Sequence, residues 1–231
     1  NKVITIDDQI YLELINKREK NGNRYCHFFY PEIKEFVGEQ KVQSIKEEIL
    51  SKNPQIFDHF DEKRKNGFND SYLSSLIRQD SIETFISHVN KINISLSSQI
   101  NHSIFETNSF LIKNKPTLIE YSAFYGSIQI FQYLMSNGIE LTPSLWLYSI
   151  HSRNSELIQI LESNGIEPPN FISKYPNQED DEEKEEELSN DDLYMTCFIE
   201  SIKCHHNEIA EYIKDSLMSF NYNELSNSKS R

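Results

Sequence analysis

The chain has 231 residues, 37% of them apolar and 26% charged, with a formal net charge of −13. That length and composition describe a globular chain able to bury a core, and the acidic balance opposes electrostatic binding to nucleic acid or to an anionic membrane. Only 6 Gly and 7 Pro argue against collagen-like chains, low-complexity chains and many-turned β-barrels, and no apolar run approaches the roughly 20 residues of a membrane helix.

Residues 1–65 read as helical without repeating. Residues 7–20 carry Ile10 and Leu14 flanked by Tyr11 and Ile15, residues 31–37 form a short segment, and residues 39–51 carry Val42, Ile45 and Ile49 at helical spacing. Asn53 followed by Pro54 predicts an N-cap with proline at the first helical position, opening a helix with Ile56, Phe57 and Phe60. Cys26, Cys197 and Cys204 have no framework spacing and read as reduced thiols. Together with the lack of a basic-plus-apolar leader, they predict a cytoplasmic protein. The start at Asn1 without Met leaves room for residues upstream. Asn-X-Ser triplets at Asn69, Asn93 and Asn101 are what chance supplies in a chain so rich in Asn and Ser. Ala occurs only at Ala123 and Ala210, so positions that usually carry Ala are expected to carry Ser or Ile.

From residue 66 a repeat organises the chain. The first, degenerate unit is SYLSSLIRQDSIETFISHV (71–89), with Leu73, Leu76 and Ile77, a break at Gln79-Asp80, then Ile82, Phe85, Ile86 and Val89. Its linker to Pro116 predicts one or two helical turns. TLIEYSAFYGSIQIFQYLMSNGI (117–139) and SLWLYSIHSRNSELIQILESNGI (144–166) then align without a gap at an offset of 27, sharing Leu118/Leu145, Tyr121/Tyr148, Ser122/Ser149, Leu134/Leu161 and the whole of S-N-G-I. Each reads as two short helices. Thr117 with Glu120 predicts a capping box, Gly126 ends the first helix, and Gly138 and Gly165 end the second helices in the left-handed conformation. Ser144 is the N-cap expected for the next unit. TCFIESIKCHHNEIAEYI (196–213) matches at an offset of 52, with Ser201 on Ser149 and Ile209 on Leu157. The extra residues are an insertion at about 168–191 that contains eight acids and one Lys in residues 179–187. Such a run buries no apolar surface and predicts a solvated loop. Residues 220–231 read as a frayed polar tail.

Thr117, Ile119, Ser122-Ala123, Gly126, Ile130-Phe131, Leu134-Met135 and Gly138 stand where the ankyrin pattern carries its Thr, Leu, paired Ala, middle Gly, I-V, final Leu pair and final Gly. The chain resembles the divergent ankyrin-like proteins expanded in certain parasitic protists over most of residues 50–215. The resemblance implies an all-α fold: an ankyrin-like helix-turn-helix solenoid over 66–219, with shortened inter-repeat turns and a helical N-terminal region. Leu118 and Leu145 replace the pattern's Pro, Glu120 and Leu147 replace its His, and the period is 27 instead of about 33. The missing residues belong to the finger between units, which moves expected binding to the first helices. Their outer positions, lining the concave face of such a stack, carry Tyr121, Phe124, Tyr125, Tyr148, His151, Ser152 and Lys203. Aromatics with few charges suit protein recognition; the competing expectation is that large rings fill a core short of Ala. Trp146 falls on a core Leu.

No phosphate-binding loop, nucleophile elbow, zinc-protease helix or dinucleotide fingerprint occurs in the sequence. Cys197 with Cys204-His205-His206 is the best metal candidate, but Cys197 aligns with the core position of Leu145 and the histidines fall in a turn, so neither metal nor cofactor is expected. The expected function is non-catalytic protein binding, as an adaptor or scaffold for an unidentified protein partner. An enzyme or metal-binding domain built on the N-terminal helices, or a structural component of a larger assembly, is the alternative. Deleting residues 179–187 should leave the melting temperature nearly unchanged, because closing a longer surface loop costs only about 0.6 kcal/mol per doubling. A large drop in a thermal melt would mean that the run is docked.

Overall fold

A computed structural model describes residues 24–35, 38–52, 54–169 and 190–218. The expectations for residues 7–20, for the acidic run and for the tail therefore lie outside the described residues. The described residues are all-helical, and their only bridge is an isolated antiparallel pair, Gln99 with Thr117. None of their helices is long and apolar enough to cross a membrane. The chain forms two compact units, residues 1–74 with 101–115, and residues 75–100 with 116–231. The sequence divides at 65, with the linker to Pro116 counted among the repeats. In the structure residues 101–115 belong instead to the first unit.

The first unit contains α1 (Arg24–Phe28), α2 (Tyr30–Ile33), α3 (Glu39–Lys52), α4 (Phe60–Asn66) and α7 (Ser109–Asn114). Ile49, Ile56, Phe60 and Phe105 form its core, with Tyr30, Ile45 and Phe57 against them. The helix expected to open at Asn53-Pro54 starts later. Residues 54–59 are turns, with Asp58 N–H donating to the Gln55 carbonyl, and His59 at φ 55° precedes α4. Two loops are stitched together. The buried Glu106 carboxylate accepts the Asn69 and Asn108 N–H groups, and Thr107 donates both its N–H and its hydroxyl to the Gly67 carbonyl. Gly67 sits at φ 69°, and a Cβ there would lie 2.7 Å from Thr107 Oγ1.

The second unit holds the repeats: α5 (Tyr72–Arg78), counted from Ser75, α6 (Ile82–Ile92), α8 (Leu118–Tyr125), α9 (Ile128–Ser136), α10 (Leu145–Ser152), α11 (Ser155–Ser163), α12 (Asn190–Lys203) and α13 (Asn207–Tyr212). Every boundary of α8 and α9 recurs 27 residues later in α10 and α11. The turns repeat as well. Asp80, Gly126, Arg153 and His205, which follow the four first helices, all have φ between 48° and 69°. Behind three of them the next N–H reaches back five residues, Ser81 to Leu76, Ser127 to Ser122 and His206 to Ser201, at 2.9–3.1 Å. The second helices α6, α9 and α11 close in the same way, Ile94 to Val89, Ile139 to Leu134 and Ile166 to Leu161, whereas α13 runs on into a π-helical turn at Ile213–Leu217. These are the wrapped carbonyls of a left-handed C-terminus. At Gly126 the φ of 69° is what favours glycine, since a Cβ would meet Ser152 Cβ only at ordinary contact distance, 3.4 Å.

The capping box of α8 is formed. Thr117 Oγ1 accepts from Glu120 N–H, and Glu120 Oε2 accepts from Thr117 N–H at 2.8 Å. Ser144, expected as an N-cap, has helical dihedrals and caps nothing. Its hydroxyl donates to Glu120 Oε1 at 2.6 Å, so one carboxylate closes its own helix and holds the next unit. Two other polar residues cap and bridge. Asp80 accepts the Gln129 and Ile130 N–H groups of α9, while Asn154 caps α11 and donates to the Gly126 carbonyl.

α8 packs on α10 and α10 on α12, while α8, α10 and α12 each pack on their own second helix. Ser122, Ser149 and Ser201 are fully buried at the position where Ser was expected in place of Ala. Leu134, Leu161, Trp146 and Cys197 are fully buried, as their register requires. Leu134→Ala should cost about 2–5 kcal/mol in denaturant unfolding, and a change below about 1 kcal/mol would mean that the register is wrong.

Candidate functional site

Packing first helix on first helix brings corresponding positions into rows. One row runs through Arg78, Phe124, His151 and Lys203; the row one turn earlier runs through Ser75, Tyr121, Tyr148 and Glu200. Contacts link the rows. Arg78 Nη1 donates to the Tyr121 hydroxyl at 3.2 Å, and its guanidinium lies 5.9 Å from the Tyr125 ring. Tyr121 meets Tyr125 at 4.8 Å between centroids, Tyr125 meets Phe124 edge-on at 5.0 Å, and Phe124 stacks on the His151 ring at 4.9 Å and 28°.

His151 Nε2 lies 3.2 Å from Glu200 Oε1, and Cys204 Sγ lies 3.4 Å from His151 Nδ1. Lys203 Nζ donates to the other carboxylate oxygen, Oε2, at 3.3 Å. Glu200 and Cys204 are four residues apart at the C-terminal end of α12, so both flank the row position of Lys203, and His151 from α10 sits between them. Burial pushes the His151 imidazole below its ordinary range, against the pull of Glu200 in the other direction. Burial, helped by the Glu200 charge, pushes the Cys204 thiol up to about 11 and the Cys197 thiol to about 12. Burial also raises the Tyr148 phenol, with Glu120 nearby adding to it.

The expected recognition residues separate into two groups. Tyr121 is 1% exposed, Tyr148 3% and Phe124 9%, so these three are core rings, and the expected recognition surface at Tyr121, Phe124 and Tyr148 is corrected to a buried one. The competing expectation, that these rings fill the core, is the one that their burial fits. Tyr125 and Ser152 are half-buried, His151 is largely covered, and Lys203 is well exposed. The metal candidate changes its members. Cys197 lies in the core and takes no part, whereas Cys204 meets His151 and Glu200, which sequence reasoning did not connect. The signal was there in the offset of 52, which puts His151 on Lys203, three residues after Glu200 and one before Cys204.

Comparison with the models of known families, with curated proteins and with solved structures finds no match.

The arrangement has the order of a nucleophile, a base and an orienting carboxylate, but its electrostatics run the other way. A catalytic thiol needs a stabilised thiolate, and Cys204 sits beside a carboxylate at the negative end of a helix. Tyr121→Ala should therefore act on stability, costing about 3–5 kcal/mol in denaturant unfolding, whereas Lys203→Ala should stay within about 0.5 kcal/mol. Equal small effects would return Tyr121 to the surface.

Proposed function

We propose that the protein is a non-catalytic, ankyrin-like protein-binding module working in a reducing compartment, and that its docking surface is the outer side of α12. The observation that carries the reading is Ile202, 48% exposed, at the position that Ile150 fills with no exposure at all in the preceding unit. Ile150 belongs to α10, which packs against α12. The same stripe on α12 also leaves Ile199 exposed at 44%. A surface whose counterpart is buried by a helix is shaped to accept a helix, so the partner is read as a protein presenting an apolar helical face. Several observations support the ankyrin-like reading. They are the unit step of 27 residues, the packing of first helix on first helix, the wrapped helix ends, and Glu120 supplying to Thr117 the side-chain bond for which the resemblance would use His. The unfavourable thiolate at Cys204 supports a non-catalytic role.

The test is quantitative capture from source cells, wild type against Ile202→Glu, followed by a binding measurement with the purified captured protein. Burying the new carboxylate should weaken that affinity at least tenfold while the circular dichroism of the variant stays unchanged. A captured partner that binds the variant equally well, or a wild-type chain that binds nothing of its own, would remove α12 as the docking surface.

A further inference from the structure

His151, Glu200 and Cys204 bring one imidazole nitrogen, one carboxylate oxygen and one thiol sulfur within 4.8 Å of one another. We propose that these three side chains bind a borderline-soft divalent transition cation, zinc by preference, which clips α10 to α12. Zinc takes nitrogen and oxygen at about 2.0–2.2 Å and thiolate sulfur at about 2.3 Å in a tetrahedron, so neighbouring ligand atoms stand about 3.3–3.6 Å apart. Here Nε2 to Oε1 is 3.2 Å and Nε2 to Sγ is 3.8 Å, each within a few tenths of an ångström of such an edge. Sγ lies nearer Nδ1, at 3.4 Å, so the imidazole has to turn on the Phe124 ring that it stacks against before Nε2 faces both partners.

Charge points the same way. Cys204 loses its thiol proton to solvent on ligation, leaving two anionic ligands and a neutral imidazole. The helix that carries Glu200 ends at Lys203, one residue before Cys204, so the cluster lies at the negative end of its dipole. The features that make an isolated thiolate unfavourable there make a cation favourable. Two cations compete. Arg153 lies close to His206 beside the cluster, and Lys203 occupies Oε2, but the Lys203 side chain is 66% exposed and leaves Oε1 to face His151. His151 and Cys204 are not fully buried, so water reaches the fourth position. A thiol and an imidazole select against calcium and magnesium, which prefer sets made of oxygen. The clip has a structural purpose as well. α10 and α12 are separated in the chain by α11 and the long acidic insertion, the longest connection between successive repeats after residue 116, and joining them offsets its closure entropy.

The experiment uses the full chain, reduced and stripped of metal with a chelator. Cobalt(II) should give sulfur-to-cobalt charge-transfer absorption with tetrahedral visible bands in the wild type and in Cys197→Ser, and not in Cys204→Ser. Zinc at a hundredfold excess over its Kd should raise the melting temperature by about 5–10 °C, and magnesium or calcium should not. Glu200→Gln, which keeps the side-chain volume, should weaken zinc binding at least tenfold, and it carries the test if Cys204→Ser loses its helical circular dichroism. Cobalt bound without thiolate absorption overturns the proposal. So does an unchanged zinc affinity in Glu200→Gln, because the acidic insertion or His205-His206 would then be the binding element. A wild type that binds neither ion overturns it too.

Discussion

Helix ends in the repeat unit are closed by the backbone itself, and the rest of the packing follows from that closure. A residue with positive φ turns the chain after each first helix, and in three of the four units the next N–H caps a carbonyl five residues back. The helices are therefore short, and each pair is folded over the same compact turn. Because the turn is fixed, α8 and α10 begin and end at matching positions. Helices so aligned approach closely along one face, and that face must carry small side chains. Ser122, Ser149 and Ser201 fill it, Ser122 and Ser201 donating to carbonyls of their own helices at 2.7–2.8 Å, so that burial of the hydroxyl is compensated.

Polar residues at the turns then hold unit to unit. Asp80 caps α9, Glu120 takes the Ser144 hydroxyl, and Asn154 reaches the Gly126 carbonyl. Each satisfies a helix terminus or a turn group that would otherwise need water. The stack is thus tied by a few directed bonds at its turns and by apolar area between its helices. The tyrosines join the apolar area, but their hydroxyls still need company. Tyr121 finds it in Arg78, and Tyr148 lies near enough to Glu120 to feel its charge.

The gapless offset of 27 made the helix pairs legible in the sequence, down to their boundaries and the left-handed glycines. Thr117 and Glu120 were readable because a capping box is local, and Leu134, Leu161 and Trp146 because register alone decides their burial. The misreadings are all non-local. Ser144 has the chemistry of a cap, but a carboxylate from the previous unit takes its hydroxyl, while Asn154 serves as the cap one helix later. Tyr121 and Tyr148 occupy outer positions of a generic unit, yet here both rings are buried, Tyr121 against Tyr125 and Arg78. Pro54 favours a helix start, but the chain makes turns until Phe60 can enter the core. Residues 101–115 follow the first repeat in sequence, yet Glu106 and Thr107 bind the loop at 67–69.

Both proposed surfaces belong to one helix. Ile199 and Ile202 face outward from α12, while Glu200 and Cys204 flank His151 of α10 on the side where the two helices meet. A cation bound there would favour the arrangement in which α12 is seated on α10. A helical partner on the outer stripe needs α12 held in that same position, since a mobile helix would lose more freedom on binding. Two ligands that prefer the same state of one element are coupled, and the coupling is reciprocal: the cation tightens the partner by the factor by which the partner tightens the cation. The acidic insertion bears on the same helix, because it enters the chain immediately before α12 and its closure entropy opposes the seating of α12. Insertion, cation and partner would therefore act on a single equilibrium, with the first opposing the docking that the other two favour.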